Sequence, residues 1–139
     1  MSEVAVQGCN IKISSTAGNI SAVSVEPDNS PSSDNLVNDK GNFFDKITAK
    51  ITTASITPTT PIAGTTNVGI LDSDSIDISG TASNILDSNN RKAVQKGDKA
   101  TKSLTFTFTT TSTPPSTTDI SLPVTVEVDD AGQTDVIAS

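Results

Sequence analysis

The sequence predicts an all-β protein, a small β body built from hairpins with little or no helix. Three observations predict it. Apolar residues alternate with polar ones at a period of two along most of the chain. Ser and Thr fill 40 of the 139 positions, and the apolar residues are rich in Val and Ile; β-branched side chains suit a pleated, half-buried surface. Clusters of Pro, Gly, Asn, Asp and Ser punctuate the alternating runs where turns belong. A chain of this length fits one domain, read as residues 1–139.

The strands follow in order. Val4 and Val6, then Ile11 and Ile13, then Val23 and Val25, mark the first runs. Ile76 and Ile78 alternate with Asp77 and Ser79. Leu104, Phe106 and Phe108 alternate with Thr105, Thr107 and Thr109, and Leu122, Val124, Val126 and Val128 with Pro123, Thr125, Glu127 and Asp129. Pro123 has no N–H to give to a ladder, so it points to an edge strand or a strand start. Thr113-Pro114-Pro115-Ser116 joins two of these runs as a loop between antiparallel strands, Asp87 to Asn90 separates Ile85-Leu86 from Ala93-Val94, and Asp130 to Gln133 turns the chain again before Asp135 to Ala138.

Two periods compete over Asn42–Ala54. Phe43, Phe44, Ile47, Ile51 and Ala54 fall at helical spacing with Asn42 as an N-cap, whereas Ile47, Ala49, Ile51 and Thr53 fall at strand spacing. Thr48, Thr52 and Thr53 favour the strand, because β-branching is disfavoured in helices. The polar stretches 26–41 and 57–66 are expected to be exposed, the first of them long for a loop in a compact domain.

An internal repeat is present. Residues 11–20 read IKISSTAGNI and residues 76–85 read IDISGTASNI, with seven of ten positions identical. The shared skeleton is two alternating Ile, a small-residue corner and Asn-Ile, which reads as a strand, a tight corner and a returning strand used twice.

Composition narrows the function. There is no His, Trp or Tyr, and Phe occurs four times. Histidine acid–base chemistry and His-ligated metals are therefore excluded, and aromatic platforms for nucleic-acid bases are not available. The formal net charge is −7, which repels a phosphate backbone, so no nucleic-acid partner is expected. Arg91, Lys92, Lys96, Lys99 and Lys102 lie close together and read either as a small basic face or as a solvated strand surface. Cys9 is the one cysteine, has no partner for an internal disulfide, and reads as a small buried hydrophobe. No window approaches the apolar length of a membrane helix, so no membrane insertion is expected. Met1 to Gln7 lack the features of a signal peptide. The expectation is synthesis in the cytoplasm and export, if any, by a non-Sec route or within an assembled particle.

Acidic and hydroxyl-bearing motifs organise no enzyme in the sequence. Asp72, Asp74 and Asp77 miss the spacing of an EF-hand loop, whose sixth position would be Asp77 and twelfth Ser83. Glu127, Asp129 and Asp130 read as strand-end carboxylates. There is no Gly-x-Ser-x-Gly elbow. Gly97-Asp98 lacks phosphate-loop spacing and reads as a turn, with Gly97 at positive φ and Asp98 bonding nearby backbone amides. The chain is read as non-enzymatic, with no cofactor, metal or small-molecule ligand.

The run Ser79-Gly80-Thr81-Ala82-Ser83-Asn84-Ile85-Leu86, a polar turn, then Lys92-Ala93-Val94-Gln95-Lys96-Gly97-Asp98 resembles the hairpin of PAAR-like tip proteins. Val25-Glu26-Pro27, Asp34-Asn35-Leu36 and Val37 to Gly41 resemble the same family more loosely. The resemblance implies a small β-cone with added strands that caps the central spike of a contractile phage tail or injection system, its partner a trimeric spike protein of the same particle, and it makes the exporting particle a phage or injection particle. It implies structural hairpin roles for Gly80, Asn84, Ala93, Val94, Gly97 and Asp98. The apical zinc of such tips is not expected, because histidine is absent. The strands of the long alternating runs, with Leu104, Phe106, Phe108, Val124 and Val126, are expected to dock on the partner through exposed strand edges or apolar strand faces. The alternative reading is a β-sandwich that decorates a virion or cell surface or serves in adhesion.

Overall fold

A computed structural model describes residues 10–28, 46–86 and 92–130, and all regular structure among them is strand. Val4, Val6, Cys9, Phe43, Phe44, Arg91, the 87–90 turn and the stretch after Asp130 lie outside the described residues. The strands are β1 (Asn10–Ser14), β2 (Gly18–Ser21), β3 (Ser24–Asp28), β4 (Lys46–Pro58), β5 (Thr65–Ser79), β6 (Ala82–Leu86), β7 (Lys92–Ala93), β8 (Lys99–Thr110) and β9 (Thr117–Asp130).

One antiparallel sheet carries the order β1-β9-β8-β5-β4-β2, with β3 also on β4; β6 and β7 pair separately. β2 and β3 share one edge of β4, β2 along Ser55–Pro58 and β3 along Lys46–Lys50. The outermost strands β1 and β2 meet across a Ser15–Gly18 bridge, so the sheet curls until it is nearly closed. The Ser15 hydroxyl fastens this turn to the Pro123 carbonyl of β9. Pro123 sits just beyond the reach of β1, whose pairing with β9 runs from Asp130 to Thr125. Its side of β9 has no second ladder among the described residues, which is where a strand proline is tolerated.

The alternating runs point inward and form the core. Ile47, Ala49, Ile51, Ala54 and Ile56 come from β4, Leu71, Ile76 and Ile78 from β5, and the remainder from β8, β9 and Val94. Phe106 and Phe108 are its largest fully buried side chains. Leu104, Phe106, Phe108, Val124 and Val126 are all at most 1% exposed. The expectation that they face a partner is therefore corrected: a small core with few aromatics fills its volume with these residues.

The competing periods over residues 47–54 have a physical origin. Residues 46–58 are strand, but the inward set steps from Ile51 to Ala54 instead of Thr53, which is exposed at φ +47. The residues opposite Ile51 and Ala54 on β5, Asp74 and Leu71, are likewise three apart, so pairing stays in register across the step, from Lys46↔Ser79 to Ile56↔Gly69. On the other side of β4, the break between β2 and β3 carries Ala22 at φ +86. A line of irregularity thus crosses three adjoining strands, the device by which a sheet bends sharply. The spacing 47, 51, 54 imitates a helix because a step of three interrupts a period of two.

The two copies of the repeat run strand, break, strand, but differ in use. Residues 11–20 form β1, the turn at Ser15–Ala17 and β2. Residues 76–85 end β5, pass Gly80-Thr81 and enter β6, which pairs with β7 and not with the main sheet. Of the polar stretches, Glu26 belongs to β3 and 29–41 lies outside the described residues, while 57–66 is exposed as expected apart from buried Pro58 and half-buried Ile62 and Thr65, and joins β4 to β5.

Gly69 faces the core where Phe108 crosses β5. A Cβ there would lie 2.5 Å from Phe108 Cζ and 2.9 Å from Phe106 Cβ. Gly69→Ala should lower stability by about 1–3 kcal/mol through overpacking. Urea denaturation measures it, and Phe108→Leu in the same chain should recover part of the loss.

Candidate functional site

Asp98 fastens the two described ends of the segment Gly80–Asp98 to each other, and Gly97, Asp98 and Val94 fasten it to the body. Gly97 adopts φ +96, a conformation glycine enters without steric penalty. This turns Asp98 back, and its carboxylate accepts from Gln95 N at 2.9 Å and Thr81 N at 3.3 Å. It also accepts from the Thr81 hydroxyl. The Asp98 backbone bonds Val128 N, and Gly97 N bonds Val128 O, each at 2.8 Å. Val94, fully buried, anchors the returning strand in the core. Gly80 precedes β6, Asn84 lies in β6 and Ala93 in β7, with Ala93 opposite Ala82. The six hairpin residues therefore share one short two-stranded unit and its return turn.

Replacing Asp98 by Ala removes the acceptor for three donors on two segments. Charge-assisted bonds of this kind are each worth about 1.5–3 kcal/mol, less where water substitutes. Asp98 is half-buried, so Asp98→Ala should cost about 1–3 kcal/mol in total. Asp98→Asn, which keeps a carbonyl acceptor, should cost less. Denaturation midpoints compare them.

The carboxylates picked out in the sequence do not converge. The Thr48 hydroxyl donates to Asp77 at 2.9 Å, and Ser75 N donates to Asp74 at 2.8 Å. Asp72 is exposed at the sheet bend. Among the described residues, no three Cys, Asp or Glu side chains gather as a metal site. The lysines are interleaved with acids. Lys102 lies 3.4 Å from Asp74 and donates to Ser75 O at 3.1 Å, and Lys99 stands opposite Glu127.

A depression of about 340 Å³ on the outer face is lined by Glu26, Thr48, Lys50, Ser73, Asp74 and Ser75. Lys50 reaches Glu26 at 3.9 Å across it. Its two ion pairs are exposed, and such pairs contribute about 0–1 kcal/mol each. Each charge already has its counter-charge in place, which leaves little field to recruit a ligand of either sign.

The outer face of the β8–β9 pair carries a row of bonded hydroxyls. Thr101 meets Thr125 at 2.7 Å, Thr105 meets Ser121 at 3.1 Å, and the Thr107 hydroxyl donates to Asp119 at 3.0 Å, all between β8 and β9. Each pair occupies directly opposed positions on the two strands, the geometry in which cross-strand side chains stabilise a sheet.

Comparison of the chain with protein-family models, with curated protein sequences and with solved structures finds no match in any of the three.

Proposed function

We propose that this chain is a non-enzymatic structural module carried in many copies on the surface of a particle or cell, as a decoration or adhesion unit. The observation that supports this reading is the division of labour along the long strands β8 and β9. Inward residues complete a core without help from a partner, and outward residues form a row of bonded hydroxyls. Such a body keeps its shape alone and presents a rigid outer face, which is what a repeated surface unit requires. Thr and Ser pairs add rigidity without adding charge repulsion between neighbouring copies.

A second reading keeps the single-copy spike tip. It is favoured by the Gly80–Asp98 unit, a separate two-stranded sheet tied to β9 by the backbone bonds of Gly97 and Asp98 to Val128. In this reading the unit belongs to the cone and the trimeric spike is the partner.

Quantitative mass spectrometry of the purified particle or envelope fraction from the producing cells separates the two. Many copies per particle are expected. One copy per spike trimer would replace the first reading by the second, and absence from every assembled fraction would overturn both.

A further inference from the structure

Charge is distributed very unevenly along the strands. Residues 13–25, 51–71 and 103–118 contain no Asp, Glu, Lys or Arg, although the whole chain has 25 such residues. The topology brings these three runs to the same half of the sheet. They supply the Ser15–Gly18 turn, the β4–β5 connection, the β8–β9 connection and the strand ends that flank them. Backbone bonds lace the turns together: Thr59 N to Ala17 O at 2.8 Å, and Thr111 N to Gly64 O at 2.9 Å. The ion pairs Lys50–Glu26 and Lys102–Asp74 use charges within three residues of the ends of these runs, and all seven described lysines lie outside them.

Within this neutral half, β5 reverses the usual pattern. Gly69 and Leu71 face inward, while Val68 and Ile70 face outward at 42% and 44% exposure. They are the exposed large hydrophobics among the described residues. Gly69 leaves the space that the Phe108 ring fills on the inner side. Ile70 is flanked in register by Ser55 on β4 and Thr107 on β8, and Ser55 by Ser21 on β2. The charged residue nearest along this rung is Asp119, opposite Thr107 on β9, two strands from Ile70. An aliphatic centre with an uncharged hydroxyl surround has the composition of an interface core, from which charged residues are depleted.

We infer that this face, centred on Val68 and Ile70, is a contact surface for a second copy of the chain. Two features select a copy as the occupant. The net charge of −7 opposes approach of two copies, and the neutral half is where that opposition is least. Ser and Thr hydroxyls both donate and accept, so the surround is complementary to itself across a two-fold axis, as an isologous contact requires. The ordered turns keep the entropic cost of association low. The inference goes beyond the surface-module reading and is tested on the purified chain alone, so copy number in a particle and self-association succeed or fail separately.

The test is sedimentation velocity of the full chain between about 1 μM and 1 mM. A monomer–dimer equilibrium within that range is expected. Ile70→Glu places two acids at the contact and should weaken dimerisation at least about tenfold, roughly 1.4 kcal/mol. Ile70→Val should retain it, and Thr101→Ser in the charged half, which keeps the net charge, should leave it unchanged. Position 70 is exposed, so circular dichroism of the Ile70 variants should match the parent. Rising salt should preserve or strengthen the dimer by screening the like-charged bodies. A chain that stays monomeric throughout, a dimer indifferent to Ile70→Glu, or one dissolved by moderate salt would each overturn the inference.

Discussion

Phe106→Asp should abolish the folded state. Phe106 is completely buried between β5 and β9, opposite Ile120 and near Gly69, in the middle of the core. Losing a buried Phe side chain costs about 3–5 kcal/mol through lost transfer and cavity terms. An uncompensated carboxylate in the same place costs several kcal/mol more, or stays neutral at the expense of a strong pKa shift. A domain of this size has about 5–15 kcal/mol to lose, so the variant should lack a cooperative thermal transition. Val126→Asp, on β9 and equally buried, should behave alike. Thr105→Asp, one residue away on the exposed face, should cost about 1 kcal/mol or less. That contrast separates a core from a docking face. Had Phe106 served a partner, the charged variant would fold and lose only assembly.

The strands were legible because period-two alternation is a direct image of the inward and outward faces. Leu104 to Phe108 and Val124 to Val128 carry that pattern without interruption, and both strands lie there. The same pattern does not say what the apolar face meets. In a small chain the answer is its own core, and this is why the docking residues were misread. The turn at Gly97-Asp98 was legible from residue type, since glycine at positive φ and an acceptor next to it have few other uses. The face switch at Thr53 was not, because it depends on β4 and β5 slipping together at one rung. Nor were Val68 and Ile70: they point outward because Gly69, the residue between them, faces the Phe108 ring, and Phe108 lies 38 positions from Ile70 in the chain. The charge-free runs stand in the sequence itself, but only the topology shows that they share one half of the sheet.

Gly18→Ala should do more damage than its size suggests. Gly18 opens β2 opposite Pro58, directly after the turn through which β1 and β2 close the sheet. A Cβ there would lie 2.2 Å from the Thr57 carbonyl oxygen and 2.6 Å from Pro58 Cα. Both are backbone atoms of the neighbouring strand, so no side-chain rotation relieves the contact. β2 must instead lift away from β4. The Gly18–Ser21 ladder, the bond from Thr59 N to Ala17 O and the packing of Ile20 on the core go with it. The expected loss is about 2–4 kcal/mol, at or above the upper end for overpacking. Gly64→Ala is the matched control. Gly64 has φ +78 with nothing within 4 Å of an added Cβ, so its substitution carries only the left-handed backbone penalty of about 1–2 kcal/mol. Urea denaturation ranks the two variants. Amide hydrogen exchange then locates the damage: in Gly18→Ala the amides of β2 and Thr59 should lose protection first, ahead of the β8–β9 ladder. Equal costs for the two glycines, or a loss of protection spread evenly over the sheet, would show that crowding against Thr57 and Pro58 is not what requires glycine at this corner. The second copy of the repeat carries Ser83 at the equivalent position, and its strand pairs with β7 instead of β4. The requirement therefore belongs to the neighbour across the ladder and not to the strand–corner–strand motif itself.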